Sequence, residues 1–254
     1  MPDGNPSATL WGTDHEELGE IATLAVGDKA AIANTRGRYP KAYRYEDPNE
    51  DSVAAVAGAR ATLLVCADGH NGALAPNLSV REVLDALGDD PPAQLSDGDW
   101  LDLFHRVNQA VLARKGIGSE QPASNTVLMV ALASPGRLSW GSIGDGALVV
   151  ARPGAQRARQ VNREAMRFIG YPMNKRSLKN TVGRGTLDVD PDEWIVAITD
   201  GLSEFVSPLR PADVVPRVLA TVKPASAQAA AQALVDTACS AGAGDNVAAA
   251  VVAP

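Results

Sequence analysis

Cysteine and histidine are scarce. The two cysteines, Cys66 and Cys239, lie far apart with no C-x-x-C, which excludes a cysteine-ligated zinc module and a disulfide scaffold. A reduced, cytoplasmic setting is the simplest reading of that usage. The three histidines, His15, His70 and His105, form no H-E-x-x-H and leave little material for a zinc hydrolase. No apolar run approaches the roughly 20 residues of a membrane span. The first twenty residues lack a basic start running into an apolar stretch, so a secretory leader is not expected. Basic charge is in deficit: 23 Lys+Arg face 30 Asp+Glu, a net charge of −7, which argues against a nucleic-acid partner. Any bound metal must then rely on oxygen ligands.

What is present is ordinary globular material. The 254 residues are 45% apolar and 21% charged, enough to bury a core without staples. Residues 1–20 are polar and expected to form an arm, with one domain over 21–254. Short runs rich in β-branched or apolar residues, bounded by Gly, Pro, Asp or Asn, predict strands at 61–67, 127–133, 138–143, 147–151, 194–199 and 247–252. Helical periodicity predicts a helix over 99–115, with Trp100, Phe104, Val107 and Val111 on one face, and another over 226–240. Shorter helices are expected at 80–87 and 211–222. Strands dominate without regular βαβ alternation, so the expected class is α+β, layered on antiparallel sheets.

The informative pattern is where the carboxylates fall. Asp68 follows ATLLVCA and precedes Gly69, and Asp200 follows WIVAIT and precedes Gly201. Asp145 sits in Gly144-Asp145-Gly146 between two expected strands, and Asp245 in Gly244-Asp245-Asn246 before the last. Asn49-Glu50-Asp51 precedes the run at Val53–Val56. Any one Asp-Gly pair is an ordinary turn former. Several carboxylates gathered at sheet ends would repel one another and resist burial unless cations neutralise them. Hard divalent ions, Mg²⁺ or Mn²⁺, suit such oxygen donors.

In order, N-E-D-S (49–52), A-D-G-H-N-G (67–72), S-N-T (124–126), I-G-D-G (143–146), T-D-G-L (199–202) and G-D-N-V (244–247) resemble the metal-dependent Ser/Thr protein phosphatases of the PPM or protein phosphatase 2C type. Compact bacterial members are the nearest in kind, and the resemblance covers roughly residues 44–253. It implies a four-layer α-β-β-α sandwich, a central antiparallel β-sandwich flanked by helix pairs, with a site for two Mg²⁺ or Mn²⁺ ions at one end. Carried over by position, it implies that Asp68 bridges both ions and the Gly69 carbonyl binds one. Glu50, Asp200 and Asp245 complete the shells, directly or through water, while Asp51 and Asn246 stand behind them. Asp145 resembles the ligand of a third, more loosely held ion. His70 resembles the general acid that protonates the leaving alkoxide, a residue many bacterial members replace.

Two departures stand out. The family's phosphate-binding arginine lies a few residues before the Glu-Asp pair. Here Arg44 lies six before Glu50, and Glu46 occupies the position four before. The stretch 36–48 reads as an insertion, so Arg44 is taken as the phosphate ligand, with Arg38 the alternative. A shifted register would make Glu46-Asp47 the metal pair; N-E-D-S followed by an apolar strand fits better. The family's S-G-T-T is here Ala123-Ser124-Asn125-Thr126, and its G-D-S is Gly144-Asp145-Gly146.

Neither cysteine stands five residues ahead of an arginine, so a cysteine-phosphate mechanism is not expected. The resemblance implies instead attack by a metal-bridging water on phospho-Ser/Thr of a protein substrate, with a Ser/Thr kinase or its target as partner and the enzyme a monomer. A regulatory binding module of the same fold and a small-molecule phosphomonoesterase are the competing readings. Between Arg152 and Arg184, nine basic residues face one acid, Glu164, a local +8 that leaves −15 on the rest. Part of that stretch (about 152–186) corresponds to the family's variable flap. Its charge either steers an anionic substrate or merely balances acidic neighbours.

Overall fold

A computed structural model describes residues 5–42, 45–115, 118–206, 209–223 and 225–254. The described elements run β1 (Ser7–Trp11), β2 (Ala22–Val26), β3 (Ala30–Thr35), β4 (Ser52–Ala57), β5 (Thr62–His70), α1 (Leu74–Leu87) and α2 (Asp97–Arg114). They continue with β6 (Asn125–Ser134), β7 (Arg137–Ile143), β8 (Ala147–Ala151), β9 (Arg159–Gln160), α3 (Lys175–Thr181), β10 (Gly183–Asp188) and β11 (Trp194–Ile198). The chain ends with α4 (Gly201–Phe205), α5 (Pro211–Thr221), α6 (Ala227–Ser240) and β12 (Val247–Val252).

Two six-stranded antiparallel sheets result, ordered β1-β4-β5-β6-β7-β10 and β2-β3-β12-β11-β8-β9. Their central strands are apolar on both faces, and successive residues serve different cores. In β5, Leu64 and Cys66 point between the sheets, while Leu63, Val65 and Ala67 face α1 and α2. In β11, Ile195 and Ala197 point inward, while Trp194, Val196 and Ile198 meet the valines of α5 and the alanines of α6. Period-two alternation with both faces buried thus generates four layers: helices, sheet, sheet, helices. The expected α+β sandwich is what the chain forms.

The expected strands and helices appear with shifted ends. Helix α2 starts at Asp97 because Ser96 caps it: the Ser96 hydroxyl accepts from Asp99 N, and the Asp99 carboxylate accepts from Ser96 N. Helix α1 begins six residues earlier than its apolar periodicity suggests, with Pro76 in the first turn, where a missing N–H costs nothing. Within the stretch expected to be a polar arm, Ser7–Trp11 pairs with β4 as an edge strand and buries Leu10. Among the described residues no helix is long and apolar enough to cross a membrane.

The pairing register decides where the site lies. Ser52, at the start of β4, opposes Ala67 near the end of β5, and His70 opposes Asn125 at the start of β6. In the other sheet Ile198, ending β11, opposes Ala249 near the start of β12, and also Ala147 at the start of β8. Antiparallel pairing therefore delivers residues 50–51, 68–70, 145, 200 and 245 to one end of the sandwich.

Candidate metal centre

Asp68 continues the inward-facing row of Leu64 and Cys66, so its carboxylate emerges at the end of the inter-sheet core. Thr126 on the neighbouring strand fixes the backbone there, its hydroxyl donating to Asp68 O at 2.6 Å. Gly69 is required by space: a Cβ at that position would stand 2.7 Å from Glu50 Cβ. Beyond His70 the chain reverses through Asn71 and Gly72, both at positive φ. Ser124 clamps that turn, donating to Gly72 O (2.6 Å) and accepting from Ala75 N (2.9 Å).

Asp51 reaches across from the first sheet to the second, where Thr199 Oγ1 donates to its Oδ2 at 2.9 Å. Asn246 ties the same loops together. Its Oδ1 accepts from Glu50 N at 2.8 Å, and its Nδ2 donates to Arg36 O and Pro48 O. Glu50 is held by Oε1, which accepts from Gly72 N (2.6 Å), Glu46 N (3.1 Å) and Asp47 N (3.4 Å). Of the alternative pair, Asp47 accepts from Ala73 N and Gln121 Nε2.

Asp51, Asp68, Asp200 and Asp245 thus gather in one electrostatic neighbourhood. Burial pushes Asp51 up to about 8, against the pull of Lys41, with Asp245 adding to the rise. Burial also drives Asp68 well above the carboxylate range, followed by the Asp200 charge; Asp200 itself rises to about 6, chiefly through burial. Hydrogen bonding between the two carboxyls adds to the rise of Asp68 and lowers Asp200.

On the flap side stand His70 and Asp145. His70 meets the Phe168 ring edge-on, centroids 4.7 Å apart, and its buried Nε2 has no hydrogen-bond partner. The buried Asp145 Oδ1 also lacks one, and burial raises this carboxyl while the nearby His70 lowers it. The flap is anchored through Thr126 and Ile169, which exchange backbone hydrogen bonds, and through Asn108 of α2.

Arg44 lies outside the described residues. Arg38 is exposed, and its backbone N–H donates to Ala243 O. Two residues at the site carried no sequence signal. Lys41 sends its ammonium to 3.2 Å from Glu50 Oε2 and 3.1 Å from Asp245 Oδ1. Glu204, one helical turn after Asp200 at the rim, is raised by partial burial and by the charges of Asp245 and Asp145.

The donors are all oxygen, buried, and short of positive charge, which suits hard divalent ions. Orphaned polar atoms on His70 and Asp145 flank them. Among the described residues, however, no three Asp, Glu, His or Cys side chains already converge as an ion-holding group. The carboxylates instead satisfy one another and Lys41.

Solved structures share this architecture. A bacterial serine phosphatase superposes with TM-score 0.72 at 15% identity, over 89% of this chain and 97% of its own. The serine/threonine phosphatase PstP/Ppp of Mycobacterium tuberculosis gives 0.65 at 23%, over 89% and 97%. The catalytic domain of PstP, in a complex with two manganese ions, gives 0.68 at 22%, over 92% and 99%. No curated protein sequence matches significantly. The family profile described as protein phosphatase 2C matches residues 38–237, from the loop before Glu50 to within α6. With that span matched and the fold shared along nearly its whole length, the chain belongs to the protein phosphatase 2C family.

Proposed function

We propose that the protein removes phosphate from phosphoserine and phosphothreonine of protein substrates. The observation that carries this reading is the placement of Asp51, Asp68, Asp200 and Asp245, from four separate strand ends, in one electrostatic neighbourhood, with the unpartnered Nε2 of His70 at the same end of the sandwich. Mg²⁺ or Mn²⁺ ions held by Asp68, Asp200, Asp245, the Gly69 carbonyl and Glu50 would, when bound, activate a water and neutralise the phosphoryl oxygens. Asp51 and Asn246 hold the loops that present these ligands, and Asp145 is assigned to a third ion. His70 Nε2 is the proton donor to the departing serine or threonine oxygen, its ring oriented by Phe168. Arg44 is assigned to the substrate phosphate. The flap beside His70 favours a protein substrate over a small one, because Met166 and Tyr171 are 77% and 48% exposed there and flank the exposed Arg163 and Arg167.

The test is phosphate release from a phosphothreonine peptide with added Mn²⁺. Activity should vanish with a chelator and in Asp68→Asn. Full turnover in either condition would remove the proposal. His70→Gln should lower kcat on the peptide by about 10²–10⁴-fold. It should matter far less on p-nitrophenyl phosphate, whose leaving group departs without a proton.

A further inference from the structure

We infer that Lys41 is a tethered counter-ion of the carboxylate cluster: its ammonium stands where a divalent ion must stand to touch Glu50 and Asp245, so metal entry displaces the lysine. The inference rests on reading the cluster as a metal centre. Three observations lead to it. First, the Lys41 side chain is only 2% exposed, and its ammonium bridges two carboxylates from distant parts of the chain at 3.2 and 3.1 Å. Second, the loop carrying it is pinned on both sides. Arg38 N and Tyr39 N donate to Ala243 O, and Glu46 N and Asp47 N donate to Glu50 Oε1. The placement is therefore built by backbone contacts on the two loops that hold the carboxylates. Third, Tyr39, Pro40 and Ala42 around it are exposed, so a swing of one side chain carries the ammonium to water.

The charge balance gives this placement a consequence. Burial alone would pull the Lys41 ammonium down, but Asp245, Asp51, Glu50 and Asp68 reverse that and hold it above its ordinary value. One lysine offsets one negative charge among several carboxylates. A divalent ion supplies twice the charge, yet it cannot share a position with an ammonium. Lysine suits such a role better than arginine, being a compact point charge on a flexible stem rather than a planar fork. Lys41 thus keeps Glu50 and Asp245 in place without metal and sets a threshold for loading.

The test compares the wild-type chain with Lys41→Met and Lys41→Arg, all stripped by chelation. Mn²⁺ affinity is measured by calorimetry, and thermal midpoints with and without Mn²⁺. Lys41→Met should bind Mn²⁺ at least about tenfold more tightly, melt lower without metal and gain more on saturation. Lys41→Arg, which keeps the charge on a bulkier planar fork, should bind Mn²⁺ no more tightly than wild type. Equal or weaker Mn²⁺ binding by Lys41→Met overturns the inference. If Lys41→Met unfolds without metal, recovery of its fold on adding Mn²⁺ supports the role, and failure to recover overturns it. Absence of Mn²⁺ binding in both wild type and Lys41→Met would sink the metal centre itself, a result distinct from equal affinity.

Discussion

Asp51 and Asp200 give the site a pH signature that can be worked out in sign. Both carboxyls lie above their unfolded values, at about 8 and about 6, so the metal-free fold holds protons that the unfolded chain has released. Their contribution to stability is full below the ordinary carboxylate range and is lost as pH rises through about 6 and then about 8. In chelator, the thermal midpoint should therefore fall between about pH 6 and about pH 8, and saturating Mn²⁺ should flatten or reverse the slope, since ligation needs the ionised form. A chelated protein that gains stability over that interval would contradict the buried cluster. Asp68→Asn, which keeps the shape but cannot ionise, should lessen the metal-free fall of the midpoint as pH rises, by about 2–4 °C for each kcal/mol of repulsion avoided. The acidic half of the cluster was legible because strand, aspartate and glycine follow one another in sequence. Lys41 and Glu204 were not, because each depends on a local path. The Arg38–Ala243 backbone contact sets the lysine loop, and α4 turns Glu204 back over Asp200.

The elements were legible to the extent that their residues are β-branched or periodic. WIVAIT and VLMVALA announce strands β11 and β6, whereas AAIANT, which forms the fully buried β3, is half alanine with only one isoleucine. Its small side chains let α6 approach the sheet, a tertiary demand that propensity does not express. The same holds for the flap, whose docking draws on a buried asparagine of α2. Asn108 Oδ1 accepts from Gly170 N at 2.8 Å, and its Nδ2 donates to Tyr171 O at 3.1 Å. Those two bonds, with the Thr126–Ile169 pairing, hold Phe168 against His70. Asn108→Ala leaves both backbone groups without their partner, at about 1–3 kcal/mol each when buried. The midpoint should drop by several degrees, and trypsin should cut after Arg163 or Arg167 faster than in wild type. Unchanged cleavage would mean that Asn108 does not hold the flap.

At the scale of the whole molecule, the net charge of −7 hides a division that the fold rearranges. Five of the nine basic residues between Arg152 and Arg184 turn back onto acids elsewhere in the chain. Arg152 pairs with Asp190 and Asp192, Arg157 with Asp213, Arg159 with Glu193, Lys175 with Asp102 and Arg184 with Asp97. For these the sequence-level choice between steering and local balance falls to balance, and exposed pairs of this kind contribute little stability. Among the described residues, Arg163, Arg167, Arg176 and Lys179 make no ion pair. Arg163 and Arg167 are exposed on the flap that sets Phe168 against His70. Attraction of an anionic phosphoprotein by this stretch falls to the unpaired residues, and of these Arg163 and Arg167 stand in the segment next to Phe168, which meets His70. Replacing both with glutamine should lower kcat/KM for a phosphoprotein by roughly tenfold at low salt, and the deficit should shrink as salt screens the field. The rate on p-nitrophenyl phosphate should barely change, because a small dianion gains less from a distant charged rim. Replacing Arg152 and Arg159 instead should leave both substrates unaffected. An equal loss on the two substrates, or a loss indifferent to salt, would move Arg163 and Arg167 from long-range attraction to direct support of the flap.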